Sequence, residues 1–147
     1  MKSAPNKILL LSIKPKYATK IFEGEKTIEL RRIPPKVSPG DLVVVYVSSP
    51  IKAIWGIFHV VGLESGDPVA FWEKWHPVAG VTEDEYGSYF EGADEAHGII
   101  LEKPKVLPSP VHLEDLRRFF PGFHPPQLYR YLSDSDWSTL SKTKVSA

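Results

Sequence analysis

The chain predicts an α+β domain in which five or six strands, with helices inserted between them, make a small β-barrel. Three observations carry this. Apolar runs of strand length recur between turn signals, at Ile8 to Ile13, Thr27 to Ile33, Leu42 to Val47 and Ile51 to Leu63. Helical spacings interrupt these runs rather than gathering at one end. A chain of 147 residues suits one core, and a closed or half-closed barrel is the natural way to remove strand edges at that size.

The first strand, Ile8 to Ile13, is bounded by lysines and ended by Lys14-Pro15. Pro15 suits a first helical turn, where its missing N–H is no loss. Tyr17, Ala18, Ile21 and Phe22 follow at helical spacing, and Gly24 caps the helix. Along Thr27 to Ile33, Ile28, Leu30 and Arg32 share one face, while Thr27, Glu29 and Arg31 share the other. Ser38-Pro39-Gly40-Asp41 is a turn, Leu42 to Val47 a central strand, and Ser48-Ser49-Pro50 a second turn. Gly56, inside the long strand Ile51 to Leu63, marks a bulge or a close backbone approach.

The middle of the chain is aromatic and helical. Pro68 to Trp75 is one helix, and Thr82-Glu83-Asp84-Glu85 opens another with a capping box, running to Phe90 before Gly92. Strand character returns at Gly98-Ile99-Ile100-Leu101 and at Lys105-Val106-Leu107. His112 to Phe119 reads as a helix, and Pro125 to Leu132 as a further helical turn. Residues 1–147 are expected to make one domain, with its core at about 8–132 and a frayed tail at 139–147.

Composition excludes several functions. Lys plus Arg and Asp plus Glu both total 18, so bulk charge does not drive binding to nucleic acid, and any such site is a local patch. The chain has no cysteine, which rules out disulfides, thiolate metal sites and cysteine nucleophiles. The apolar run near the N-terminus is too short to span a membrane and lacks a signal-peptide cleavage site, so a cytoplasmic protein with no membrane partner is expected. His59, His76, His97, His112 and His124 are scattered without ligand spacing, and neither a metal nor a cofactor is expected.

The densest chemistry lies between Lys14 and Arg32. Glu29 and Arg31 project from one strand face, Lys26 precedes that strand and swings over the same place, and Lys14 sits beyond the short helix. A guanidinium fork matches a phosphate or a base edge, and a carboxylate beside it orients the fork or accepts from an amino group. The bland alternative is a solvated Glu–Arg pair of little energetic value. The run Glu83-Asp84-Glu85 repels phosphate, which puts the binding face elsewhere. Phe71, Trp72 and Trp75 read as core. Tyr129 and Tyr131, flanking Arg130, read as packing or as a base-stacking platform.

The run Leu11-Ser12-Ile13-Lys14-Pro15-Lys16-Tyr17-Ala18, followed by Ile21-Phe22, Gly24, Lys26-Thr27, Glu29 and Arg31-Arg32, resembles the signature of the ASCH domain family. The resemblance extends over roughly residues 8 to 132. It implies a PUA-like small β-barrel with peripheral helices. It also implies a cleft around Lys26, Glu29 and Arg31, with Lys14, Arg32, Tyr46, Ser48 and Lys52 at its rim. The ligand so implied is RNA or a modified nucleoside, in RNA metabolism or transcription regulation. The alternative is a small hydrolase that uses Lys26, Glu29 and Arg31, either on acetylated cytidine or as a ribonuclease. Where amidohydrolases of the superfamily carry a threonine nucleophile, this chain has Glu29, and a carboxylate is a poor nucleophile for amide cleavage. Protein partners are not indicated.

Overall fold

The computed structural model describes residues 6–146, with side chains to Ser141. Six strands form one sheet: β1 (Ile8–Ile13), β2 (Ile28–Arg31), β3 (Leu42–Val47), β4 (Ala53–Gly66), β5 (Ala96–His112) and β6 (Tyr129–Leu132). Five helices accompany them: α1 (Pro15–Phe22), α2 (Pro68–Ala79), α3 (Glu83–Tyr89), α4 (Leu113–Phe119) and α5 (Asp134–Ser146). The strand order is β2-β5-β4-β3-β1-β6. Only β1 and β3 run parallel, joined by the crossover through α1 and β2. The other ladders are antiparallel.

The sheet does not close. β2 and β6 remain its edges, so the expected barrel is corrected to an open, curled sheet. Curvature comes from register shifts along β4, including one between Ile54 and Gly56. At Gly56 a Cβ would collide with the Lys105 carbonyl and the Phe22 ring, so glycine is needed for this close approach.

Two strand segments expected at 98–101 and 105–107 are one strand, β5, despite Pro104, Pro108 and Pro110. Its first part pairs with both β2 and β4. Beyond Leu101 only β4 pairs with it, and Pro104, Pro108 and Pro110 fall at positions without a partner in that register. The helical turn expected at Pro125 to Leu132 is also corrected: Tyr129–Leu132 is an edge strand against β1. Alternating tyrosines suit a pleated surface better than a helix.

Both faces of the sheet are covered. Leu9, Leu11, Val43, Val45 and Phe58 pack under α1 through Ala18 and Ile21. On the other face Leu10, Val44, Tyr46 and Ile54 meet Leu116 of α4 and Leu140 of α5. A third cluster joins Ile28 and Leu30 to Phe71, Tyr86 and Phe90 of the α2–α3 insertion. The frayed tail expected at 139–147 is helical through Ser146, while Ala147 and the side chains after Ser141 lie outside the described residues. Among the described residues no helix is long and apolar enough to cross a membrane.

Candidate functional site

The alternation of β2 builds the floor of the site. Ile28 and Leu30 anchor the strand in the third cluster, and Glu29 and Arg31 therefore emerge on the opposite side. Lys26 is only 1% exposed and Glu29 only 7%. The Lys26 ammonium lies 3.8 Å from one Glu29 oxygen, and the Arg31 guanidinium 3.4 Å from the other. Lys26 donates to the Ala79 carbonyl and sits 5.4 Å over the Tyr17 ring. Burial pulls its amine below the ordinary lysine value, against the opposing pull of the Glu29 carboxylate. Gly80, left-handed at φ 66°, ends α2 against the Lys26 stem.

Arg31 spans the open side of the sheet. It donates 3.0 Å to the Ser12 carbonyl of β1 and 3.5 Å to the Leu128 carbonyl just before β6. Its Nε is buried and has no hydrogen-bond partner.

The walls are α1 and α3. Tyr17 and Lys16 of α1 reach the same Glu85 oxygen, at 3.0 and 2.5 Å. The other Glu85 oxygen closes the capping box of α3 by accepting from the Thr82 N–H. These bonds hold the Glu85 carboxyl at about 2, with the Lys16 contact foremost. Burial, and then the Glu85 contact, push the Tyr17 phenol up to about 12. At the other end of α3, Arg32 donates 3.0 and 2.8 Å to the Tyr89 and Glu91 carbonyls. Between these elements lies a cleft of about 750 Å³.

The structure brings Lys14, Lys26, Glu29, Arg31 and Arg32 to this cleft. Two expectations about them change. Lys26 does not swing over the site but is packed into its floor. Arg32 lines the cleft while one of its terminal nitrogens holds the end of α3. The rim placement of Tyr46, Ser48 and Lys52 is corrected. Tyr46 is buried in the cluster beneath α4 and α5, and Ser48 and Lys52 belong to the turn between β3 and β4. Period-two alternation carries Tyr46 with Val44 to the face away from α1.

Sequence reasoning missed Tyr17, Glu85, Tyr86 and Tyr89, all of which line the cleft. The expectation that the acidic run Glu83-Asp84-Glu85 puts the binding face elsewhere is corrected: Glu85 lines the cleft, with one oxygen closing the capping box and the other facing α1. Trp72 packs on Tyr86 with ring centres 4.6 Å apart, which accounts for the aromatic run as core. Tyr129 and Tyr131 meet edge to face, and the Tyr131 hydroxyl bonds Lys36 backbone groups. Among the described residues, no three His, Cys, Asp or Glu side chains cluster as metal ligands.

A family model and a curated relative point to the same family. The family model described as ASCH domain matches residues 11–105. An ASCH domain-containing ribonuclease of Zymomonas mobilis is 28% identical over 131 residues, covering 89% of this chain and 88% of that protein. The crystal structure of ASCH from Zymomonas mobilis superposes with a TM-score of 0.88 at 27% identity, covering 92% of this chain and 94% of that one. Human THYN1 protein, solved in complex with 5-methylcytosine containing DNA, shares the fold at a TM-score of 0.60 and 11% identity, covering 95% and 98% of the two chains.

Proposed function

The chain belongs to the ASCH domain family, and from that premise we propose that it binds RNA or a nucleotide-like ligand in the cleft between α1, β2 and α3. One observation carries this reading. Lys26, Glu29 and Arg31 converge on the floor of a cleft that is large enough for a nucleotide and walled by Tyr17 and Tyr89. Cationic donors suit phosphate or a base edge, and tyrosine rings suit an unstacked base. Lys14, exposed at the start of α1, adds a cation at the mouth. An unpaired ligand fits this reading, because a base offers its edge to a cleft only when that edge is free of its pair.

The test is titration of fluorescent single-stranded RNA over a range of salt. The wild-type chain binds with an affinity that falls as salt rises, and Arg31→Ala weakens binding. Equal binding by the two proteins removes the ligand from this cleft.

A second reading, ribonuclease activity at the same site, is favoured by the relative from Zymomonas mobilis. Glu29 would take the proton of a ribose 2′-hydroxyl, whose oxygen then attacks phosphorus. The 5′-oxygen would leave with a proton from Lys26, and Arg31 would stabilise the crowded phosphate. Cleavage of labelled RNA that is lost in Glu29→Gln supports it. Intact RNA after long incubation with the wild-type chain leaves the binding role alone. Amide cleavage of acetylated cytidine is less well supported, because Thr27 does not line the cleft and the nucleophile position holds a carboxylate.

A further inference from the structure

Glu29 keeps free acceptor capacity at the floor of the cleft. It is more than nine-tenths buried, yet neither neighbouring cation gives it a hydrogen bond. Lys26 donates to the Ala79 carbonyl, and Arg31 donates to the Ser12 and Leu128 carbonyls. Their distances to Glu29, 3.8 and 3.4 Å, are those of ion pairs. A buried carboxylate with free acceptor capacity is costly unless something donates to it. Glu29 lines the cleft, so a ligand seated there is placed to supply that donor.

The order of charges says more. One Glu29 oxygen faces Lys26 and the other faces Arg31, so the floor presents an acceptor flanked by two donors. The answering edge has one donor between two acceptors. Among the nucleobases this is the imide edge of uracil or thymine, with N3–H between two carbonyl oxygens. Cytosine and adenine set an amino donor beside a ring acceptor and bring an N–H toward one of the cations.

Resting on the nucleotide-binding reading above, we propose that the cleft selects an unpaired nucleotide by its imide edge, with Glu29 accepting from N3–H and Lys26 and Arg31 donating to the flanking carbonyls. Tyr17, which lies against Lys26, helps to fix the amine in place.

The test uses the full chain with fluorescent oligouridine, oligocytidine and oligouridine methylated at N3. Oligothymidine is added to distinguish a ribonucleotide from a deoxyribonucleotide source of the imide. Oligouridine binds about tenfold tighter than oligocytidine, and N3-methylation abolishes the advantage. Glu29→Gln brings the uridine and cytidine affinities together, while circular dichroism reports its fold. If that variant fails to fold, the N3-methyl ligand tests the same contact on the wild-type chain. Equal binding of uridine and cytidine by the wild-type chain, or tolerance of the N3-methyl group, overturns the base selection and leaves the nucleotide-binding reading standing. Failure to bind any oligonucleotide overturns both.

Discussion

The guanidinium of Arg31 on β2 donates 3.0 Å to the carbonyl of Ser12 on β1. The two strands lie toward opposite ends of the sheet, separated in its order by β5, β4 and β3. A side chain, not a backbone ladder, therefore spans the gap that a closed barrel would seal. The same side chain sits 3.4 Å from Glu29, so the bridge across the gap is also part of the cleft floor.

Arg31→Ala removes both roles. It leaves the buried Glu29 carboxylate facing Lys26 alone, and breaking a buried pair in this way costs roughly 3 kcal/mol. Chemical denaturation should show that loss without a change in the dependence on denaturant. Arg31→Lys keeps the charge and loses the fork, so it should recover only part of the stability. Full recovery by lysine would mean that charge alone matters and that the carbonyl contacts do not.

How far the cleft can be read from sequence depends on the range of each contact. The floor is local: a proline start, a glycine stop and period-two alternation place Glu29 and Arg31 on one side within a short span. The walls are not local. Tyr17 and Glu85 meet across 68 positions, and no residue near either one signals the other. The acidic run could be read as a helix start, since capping boxes are local patterns, but the outward use of Glu85 depends on where α1 docks. Curvature was similarly hidden. A strand count of five or six fits a barrel, but whether the ends join depends on register shifts in β4 and β5 that alternation alone does not encode.

Lys26 should give stability an unusual dependence on alkaline pH. Its amine is pulled below the ordinary lysine value by burial, so the unfolded chain binds this proton more tightly than the folded one. Unfolding free energy contributed by this group rises as pH increases from the folded value toward the ordinary lysine range. Denaturation series of wild type and Lys26→Met at several alkaline pH values should show the difference moving toward the wild type as pH rises. A difference that stays constant with pH would mean that the amine is not penalised by burial.

Glu85 should govern part of the acid limb. Its carboxyl is held at about 2 against an ordinary 4.5, so its contribution is present above the ordinary value and is lost as pH falls through about 2. Glu85→Gln removes the charge that joins Lys16 and Tyr17 to α3. The stability gap between wild type and this variant should be full near neutrality, shrink below about pH 4.5 and close near pH 2. High salt should narrow it as well, because Lys16 is solvent-exposed. A gap of the same size at pH 2 and at neutral pH contradicts the ion pair.

Gly80 and Gly92 separate backbone strain from crowding at the cleft. Both have left-handed φ, at 66° and 77°, so alanine costs about 1 kcal/mol of strain at either position. A Cβ at Gly92 meets nothing within 4 Å, whereas one at Gly80 lies 3.0 to 3.1 Å from three carbons of Lys26. Gly92→Ala should therefore lose stability alone. Gly80→Ala should lose more, and should also weaken RNA binding, because the pushed stem carries the ammonium away from Glu29 and Tyr17. Melting curves and RNA titrations on the two variants make the comparison. Equal losses in both assays would show that the position of the Lys26 stem is not what Gly80 protects.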